Sequence, residues 1–282
     1  MPPPGRTASW RGRGTVGRVP VRVVATDLDG TIVRSDGTIS LRTMKALARV
    51  EEAGAAVVLV TGRPPRWIAP VAEATGHHGV VICSNGAVVY DLHDERVVES
   101  FLIPAETVAQ VVGILRAELP ELVFAVETGD GIYRGHGYTS GWALDPDDHA
   151  VRYSLDEITQ HPAAKLLARH PSLDADELLN LFRGRIEHLV TPTHANGRGL
   201  LEMSALGVSK ATTLARFAAE LGVEAADVVA FGDMPNDLPM LAWAGAAYAV
   251  ANAHPLVLAA VERVAESNDD DGVARVLEQL FG

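Results

Sequence analysis

Short apolar runs alternate with amphipathic segments over residues 21–86. Buried strands are predicted for three runs rich in valine and isoleucine, VRVVAT, AAVVLV and GVVIC. The segment between the first two runs, residues 40–54, has helical spacing, with Ser40 as the expected N-cap and Gly54 as the expected end. A second helix is predicted for RWIAPVAEATG. Continuous apolar strands separated by helices indicate a parallel sheet covered on both faces.

The same alternation returns near the end of the chain. Helices are predicted for SKATTLARFAAELG, PNDLPMLAWAG and DGVARVLEQLF, and strands for DVVAFG and AAYAV. We therefore expect both blocks to form one doubly wound, Rossmann-like α/β domain.

The middle of the chain has a different pattern. Strands with half-polar alternation are predicted for VVYD, RVVESFLI, LVFAVE, GIYRG, AAKLLAR and EHLVTPT, and helices for PAETVAQVVGILRAEL and DADELLNLF. This pattern indicates an inserted α+β domain with an antiparallel sheet. The predicted organisation is a tail over residues 1–20, a core over 21–87 and 198–282, and an insertion over 88–197.

Composition narrows the class of protein. The 282 residues are 48% hydrophobic and 21% charged, which is typical of a globular protein. We predict no membrane segment, because no apolar run approaches the roughly 20 residues that a spanning helix needs. The single cysteine, Cys83, excludes an internal disulfide and favours the cytoplasm, although a cysteine-poor secreted protein would have the same composition.

Charge is divided unevenly along the chain. Residues 1–20 carry four arginines and no acid, whereas the rest carries 20 basic and 36 acidic residues. The acidic body disfavours nucleic-acid binding. The basic segment lacks the apolar core of a secretory signal, and its Pro, Gly and Arg content predicts a disordered tail. A nucleic-acid or membrane contact and a wrongly assigned start codon are the alternatives.

Two aspartates follow the first predicted strand. Asp27 and Asp29 point to the same side of an extended chain, and such close carboxylates repel each other unless a cation or a proton lies between them. An acidic turn, favoured by Gly30, is the alternative. A calcium loop is excluded because Ile32 and Thr38 stand where its glycine and its last glutamate belong.

Polar residues also follow three other predicted strands. They are Thr61, Gly62 and Arg63; Ser84, Asn85 and Gly86; and Asp233, Asn236 and Asp237. Parallel strands would bring all these groups to one edge of the sheet. Lys210 lies in the first turn of a predicted helix, where the dipole disfavours a cation unless an anion is bound; a solvated lysine is the alternative. Acids for a divalent ion and donors for an anion together indicate phosphoryl transfer.

The motifs DLDGT, TGR, the lysine of GVSK and GDMPNDLPML resemble, in this order, the four motifs of the haloacid dehalogenase superfamily of phosphatases. The insertion, entered through SNGA, resembles the large α/β cap of the Cof-type subfamily. The resemblance covers residues 21–282.

The resemblance implies a role for each matching residue. Asp27 would be the nucleophile that forms an aspartyl-phosphate, and Asp29 the general acid and then base. Thr61, Gly62, Lys210 and Asn85 would bind the phosphoryl group. Mg²⁺ would be held by the Asp27 carboxylate, the Asp29 main-chain carbonyl and Asp233, with Asn236 and Asp237 in support. Arg63 would either contact the substrate or hold its loop.

The function implied is a Mg²⁺-dependent phosphatase acting on a small phosphomonoester, such as a sugar phosphate or a nucleotide-like metabolite, without a nucleic-acid or membrane partner. A sugar phosphomutase is the enzymatic alternative, and a non-catalytic binding protein with this fold is another. We expect a cytoplasmic monomer or homodimer. Four residues of the insertion are candidates for lining the pocket: Tyr133, His136, Tyr138 and Trp142. Residues 268–271 either approach the metal or cap a helix.

Overall fold

The computed structural model describes residues 21–129, 131–140, 151–195 and 199–282. The predicted tail, residues 1–20, and Trp142 lie outside the described residues. Within these ranges the strands are β1 (Val23–Thr26), β2 (Ala56–Val60), β3 (Val80–Cys83), β4 (Val88–Asp91), β5 (Arg96–Ser100), β6 (Val123–Glu127), β7 (Ile132–Gly135), β8 (Arg152–Tyr153), β9 (Lys165–Arg169), β10 (Val190–Thr193), β11 (Leu200–Ala205), β12 (Val228–Gly232), β13 (Ala246–Val250) and β14 (Arg263–Ala265).

The helices connect these strands and cover the sheets. In the described part of the chain they are α1 (Leu41–Glu52), α2 (Ala69–Thr75), α3 (Ala105–Glu118), α4 (Leu155–Ile158), α5 (Ala175–Ile186), α6 (Lys210–Glu220), α7 (Leu238–Trp243), α8 (Pro255–Ala260) and α9 (Gly272–Phe281). Among the described residues, no helix combines the length and the apolar character needed to cross a bilayer.

The larger sheet has eight strands in the order β14-β13-β12-β1-β2-β3-β4-β5. The first six are parallel, and β4 and β5 add an antiparallel hairpin at one edge. The central strand β1 is fully buried. This sheet and its helices confirm the predicted doubly wound α/β fold.

Local sequence explains why α1 begins where it does. The Ser40 side chain accepts a hydrogen bond from the Thr43 main-chain N–H, which satisfies one of the free donors at the helix start. The apolar face of α1, including Leu47 and Val50, is buried in the core of the large sheet. The opposite face is exposed, as the helical spacing predicts.

The smaller sheet has six strands in the order β10-β11-β9-β6-β7-β8, antiparallel except for the short β7–β8 pair. Helices α3 and α5 pack together. They bury a second apolar cluster against this sheet, separate from the core of the larger one. The described residues therefore form a separate main core on each sheet, together with a third, small apolar cluster around Tyr138.

Strand pairing corrects both predicted boundaries of the insertion. The β4–β5 hairpin, which we predicted to start the insertion at residue 88, belongs to the larger sheet. Strand β11, which lies after residue 197, belongs to the smaller one. The chain changes sheets between Ser100 and Val123, and again between Ala205 and Val228. Half-polar alternation describes any antiparallel strand and does not reveal its partner, so the sequence pattern assigned the hairpin to the wrong sheet. Strand β11 was not predicted as a strand at all.

Candidate active site

Asp27 lies immediately after β1, at the carboxyl end of the larger sheet. Its main-chain N–H donates to the carbonyl of Phe231 in β12 at 3.0 Å, which continues the parallel pairing past the end of the strand. The Asp27 side chain is buried. Since β2 and β12 flank β1, the polar residues that follow all three strands meet at this edge.

Lys210 reaches the same place from the first turn of α6. Its Nζ donates to Asp27 Oδ1 at 2.7 Å and to Asp237 Oδ1 at 2.6 Å. The lysine is buried, so the alternative of a solvated surface lysine is wrong. Burial lowers its pKa, but the carboxylates of Asp237 and Asp27 outweigh that effect and raise the pKa above its ordinary value.

Asp233 adds a third buried carboxylate to the two that contact this ammonium group. Asp27, Asp233 and Asp237 each offer an oxygen atom, and these atoms lie within 4.8 Å of one another. Asp233 Oδ1 accepts from Thr31 Oγ1 at 3.0 Å, and Asp237 Oδ2 accepts from the main-chain N–H of Asp233 at 3.0 Å. The fold therefore brings DLDGT and GDMPNDLPML, the first and last motifs, into one acidic cluster.

The charge of the cluster suits a divalent cation. Burial, opposed by Lys210 and reinforced by Asp237, raises the pKa of Asp27 to about 7. Burial, Asp27 and Asp237 raise the pKa of Asp233 to about 9. When ionised, the three carboxylates exceed the charge of the one ammonium group, so the buried cluster favours either protons or a further cation. Hard oxygen ligands are those that Mg²⁺ prefers. The residues present therefore fit a magnesium ion.

Asp29 is held outside the acidic cluster. Its carboxylate forms an ion pair with Arg63, in which Arg63 Nε donates to Oδ2 at 2.8 Å. The two predicted aspartates nevertheless line the same cavity. Arg63 thus holds the Asp29 side chain, while the binding of metal by the Asp29 carbonyl stays a prediction.

Thr61, Gly62 and Asn85 stand beside one another at the ends of β2 and β3. Thr61 is buried, and its Oγ1 accepts from the Arg63 main-chain N–H at 3.0 Å. A Cβ atom on Gly62 would lie 3.1 Å from Asn85 Oδ1, so a side chain there would press on the amide. Asn85 has φ 57°, a left-handed conformation that asparagine tolerates better than most residues.

Three buried charged residues of the smaller sheet face the same cavity, and sequence reasoning missed them. Lys165 of β9 lies 2.9 Å from Glu202 of β11 and 3.3 Å from Glu127 of β6. Lys165 Nζ also donates to the main-chain carbonyl of Gly62 at 2.8 Å, across the two sheets. Lys165 and Glu202 interrupt apolar runs, in AAKLLAR and LLEMSA, and Glu127 ends the run LVFAVE. A charge within or at the end of such a run was the available signal of a buried charge.

The cavity lies between the two sheets. Besides the charged residues already named, it is lined by Arg66, Arg134, Ser140 and Asn236, and by the more apolar Pro64, Trp67, Ile132, Tyr138, Leu167, Ala195, Leu200 and Met234. Of the described aromatic candidates, Tyr138 lines the cavity, whereas Tyr133 stacks on the ring of His161. A mixed wall of this kind can bind a leaving group through both apolar and hydrogen-bonding contacts.

Residues 268–271 hold the loop that follows Asp29. Asn268 Nδ2 donates to the carbonyl of Val33 at 2.9 Å, and Asp271 pairs with Arg34 at 2.7 Å. Asp271 is also the residue before α9. The segment therefore links the end of the chain to the loop that carries the first motif.

The chain matches a family model described as haloacid dehalogenase-like hydrolase over residues 24–277. It is 29% identical over 264 residues to the pyridoxal phosphate phosphatase YbhA of Escherichia coli K12, covering 91% of this chain and 97% of that protein. It is 27% identical over 260 residues to the 5-amino-6-(5-phospho-D-ribitylamino)uracil phosphatase YcsE of Bacillus subtilis 168, covering 92% and 95%.

Solved structures have the same fold. A phosphatase of the haloalkanoate (HAD) enzyme superfamily from Bacteroides thetaiotaomicron superposes with a TM-score of 0.76 at 23% identity, covering 95% of this chain and 98% of that one. A haloacid dehalogenase-like hydrolase of B. subtilis superposes with a TM-score of 0.77 at 25% identity, covering 92% and 99%.

Proposed function

The chain belongs to the haloacid dehalogenase-like hydrolases, and from this premise we propose that it is a Mg²⁺-dependent phosphatase that hydrolyses a small phosphomonoester through an aspartyl-phosphate on Asp27. The observation that carries the proposal is the buried Asp27 carboxylate, 2.7 Å from Lys210 Nζ and within the acidic cluster of Asp233 and Asp237. A carboxylate kept beside a fixed cation is placed to attack a phosphorus atom whose oxygens need neutralising.

In the first step an Asp27 oxygen forms a bond to phosphorus, and the bond from phosphorus to the leaving-group oxygen breaks. Asp29 is protonated on one oxygen for this step, so that only its other oxygen then accepts from Arg63. It gives that proton to the leaving-group oxygen, so that an alcohol departs. Lys210, Thr61 and the turn at Gly62 hold the phosphoryl oxygens. The Arg63 pair keeps the Asp29 carboxyl directed into the cavity that also holds Asp27.

In the second step Asp29 takes a proton from water. The water oxygen bonds to phosphorus, the bond between phosphorus and Asp27 breaks, and inorganic phosphate leaves with the Asp27 carboxylate restored. The net reaction adds one water to the ester and gives one alcohol and one phosphate. A single carboxyl group thus serves as acid and then as base, which returns the enzyme to its starting protonation state.

Mg²⁺ would be held by Asp27 and Asp233, with the Asp29 main-chain carbonyl as a third ligand and Asp237 and Asn236 in support. When bound, the ion neutralises charge on the phosphoryl group and orients it for in-line attack. Burial, followed by the charges of Asp27 and Asp237, raises the pKa of Asp233, and the same ion would offset the repulsion among these carboxylates.

We propose that the smaller sheet, with α3 and α5, forms a cap that selects the substrate. Supporting this role, its residues Glu127, Lys165 and Glu202 line the cavity opposite Asp27. Closure over the leaving group would exclude bulk water from the reaction. We propose that this cap extends from the segment after Ser100 to Ala205, with a catalytic core on both sides of it. The proposal is supported by strand pairing, since β4 and β5 belong to the larger sheet and β11 to the smaller one.

The test is a hydrolysis screen with purified protein and Mg²⁺. The panel contains pyridoxal 5′-phosphate, phosphorylated ribitylaminouracil, flavin mononucleotide, nucleotides and sugar phosphates, and phosphate release is measured for each. We expect at least one good substrate, and loss of its turnover by roughly a thousandfold or more in Asp27→Asn.

The matched control is Asp36→Asn, an exposed aspartate in the loop after β1 that accepts only local hydrogen bonds from Thr38. It should keep wild-type activity. No phosphate release from any ester, or full activity in Asp27→Asn, would refute the proposal. A bisphosphate that accumulates instead of free phosphate would identify the phosphomutase alternative.

A further inference from the structure

A chain of four buried polar side chains runs from the smaller sheet into the catalytic loops. Lys165 Nζ donates to Glu202 Oε1 at 2.9 Å. Asn85 Nδ2 donates to Glu202 Oε2 at 3.0 Å, and Asn236 Nδ2 donates to Asn85 Oδ1 at 3.0 Å. We call these four residues the amide relay. It connects β9 and β11 to the residue next to Asp237.

Glu202 fixes the direction of every hydrogen bond in the amide relay. Burial raises the pKa of Glu202, but the charge of Lys165 and the hydrogen bond from Asn85 outweigh it and lower the pKa below its ordinary value. An ionised carboxylate only accepts hydrogen bonds. Asn85 must therefore turn its NH₂ group toward Glu202 and its oxygen toward Asn236.

The same constraint fixes Asn236. Because Asn85 offers an oxygen, Asn236 must donate its Nδ2, which leaves its Oδ1 as the last acceptor of the relay. This oxygen is buried and has no hydrogen-bond partner within the part of the chain that the structure describes. A buried acceptor without a donor costs free energy, so the arrangement calls for a donor from outside the protein.

The cavity restricts what that donor can be. Asn236 lines the cavity that also contains Asp27 and Asp29. A phosphoryl oxygen is itself an acceptor and cannot satisfy Asn236 Oδ1. A water molecule on Mg²⁺ is a strong donor, and Mg²⁺ in proteins usually keeps several of its waters.

We propose that Glu202 is a positioning residue of the smaller sheet, which acts through Asn85 to turn Asn236 Oδ1 toward a water molecule bound to the catalytic cation. The inference rests on the proposed Mg²⁺ site of the phosphatase. It makes β11 part of the cation site, although the Glu202 carboxylate contacts Asn85 and acts on Asn236 only through that residue. The cap would then build the metal site as well as select the substrate.

The test compares Glu202→Gln with Glu127→Gln. The new glutamine amide in Glu202→Gln can both donate and accept, so Asn85 and Asn236 would no longer be held in one orientation. Glu127 is the matched control, because it lies beside the same Lys165 and loses the same charge, while its hydrogen bonds go to Ser84 and Arg66 instead of Asn85. The probe is Mn²⁺ alone, titrated into each protein without substrate and followed by electron paramagnetic resonance.

We expect Glu202→Gln to raise the Kd for Mn²⁺ about tenfold, in line with residues that orient metal ligands, and Glu127→Gln to change it less than about twofold. An equal change in both variants would assign the effect to lost charge and overturn the proposal. No change in folded Glu202→Gln would overturn it as well.

Asn85→Ala breaks the same relay at its centre and replaces the first variant if Glu202→Gln does not fold. It should raise the Kd for Mn²⁺ as Glu202→Gln does, and the double variant should bind no more weakly than Asn85→Ala alone. Wild-type Mn²⁺ binding in Asn85→Ala, or additive losses in the double variant, would contradict the relay.

The titration separates this inference from the proposed function, because it contains no phosphate ester. A protein that releases no phosphate and still loses Mn²⁺ affinity in Glu202→Gln would refute the phosphatase proposal and support the relay. An active phosphatase whose Mn²⁺ affinity is the same in both glutamine variants would support the proposed function and refute the relay.

Discussion

Arg63 donates two hydrogen bonds to the carboxylate of Asp29, from Nε to Oδ2 at 2.8 Å and from Nη2 to Oδ1 at 2.5 Å. The two residues come from loops that follow neighbouring strands, β1 and β2. The planar guanidinium group fixes both the position and the tilt of the carboxylate. In the proposed mechanism this is the group that must deliver a proton to the leaving oxygen, so its orientation matters for catalysis.

Arg63→Lys should therefore lower kcat/KM about tenfold. Lysine keeps the positive charge but lacks the planar group that donates two parallel hydrogen bonds to one carboxylate. Steady-state kinetics on the best substrate of the screen measures the effect. The control is Arg34→Lys, since Arg34 pairs with Asp271 through one hydrogen bond in the loop outside the cavity. Wild-type kinetics in Arg63→Lys would mean that the two-point contact is dispensable.

The sheet edge at which the polar candidates meet was predictable, because parallel strands impose it. Asp27, Thr61 and Asp233 follow three apolar runs, and any parallel sheet made from those runs brings the residues after them to one side. Lys210 was predictable from a different signal, a cation in the first turn of a helix. Both arguments need only local pattern and a general rule of sheet architecture.

The contribution of the smaller sheet was not predictable in the same way. Glu202 meets Lys165 only because β11 pairs with β9, and antiparallel alternation does not specify a partner strand. For the same reason the β4–β5 hairpin was assigned to the insertion, although it extends the larger sheet. The contact of Lys165 with the Gly62 carbonyl depends on how the two sheets pack against each other. The hydrophobic pattern of the sequence does not predict that packing.

The acidic cluster predicts a stability that depends on both pH and Mg²⁺. Asp27 and Asp233 have folded pKa values of about 7 and about 9, above the value near 3.9 of an unfolded aspartate. The folded protein therefore binds more protons than the unfolded chain over this range. Without metal, the free energy of unfolding should fall as the pH rises from about 4 through 7 toward 9.

Mg²⁺ should reverse part of that loss. At about pH 8 the ion meets more carboxylates that are already ionised, whereas at about pH 5.5 it must displace protons first. Mg²⁺ is added at about 5 mM to saturate the site. We expect this addition to raise Tm more at the higher pH than at the lower one. Calorimetry of wild type and Asp233→Asn checks this, and equal shifts at both pH values in wild type would contradict it.

Cys83 should be unreactive in the folded protein. The thiol is fully buried at the end of β3, and burial, with a further contribution from Glu127, raises its pKa far above the ordinary value. Because the thiolate is the reactive form, labelling by Ellman's reagent at about pH 8 should be at least about a hundredfold slower in buffer than in about 6 M guanidinium chloride. Complete labelling within minutes in buffer would show that this strand end opens readily.

Two glycines of the loop after β1 separate backbone strain from damage to the cation site. Gly30 and Gly37 have φ values of +81° and +82°, so the backbone strain of alanine alone should cost about 1 kcal/mol of unfolding free energy at either position. Only at Gly30 would the new Cβ meet a side chain, 2.3 Å from Asp233 Oδ2; at Gly37 it would meet nothing within 4 Å. Gly30→Ala should therefore displace Asp233 and lower both Mn²⁺ affinity and kcat by about tenfold or more, while Gly37→Ala keeps both near wild type. Denaturant melts establish the shared loss of stability, and Mn²⁺ titration with kinetics measures the difference. Equal Mn²⁺ affinity in the two variants would show that Mn²⁺ binding does not depend on the position of Asp233.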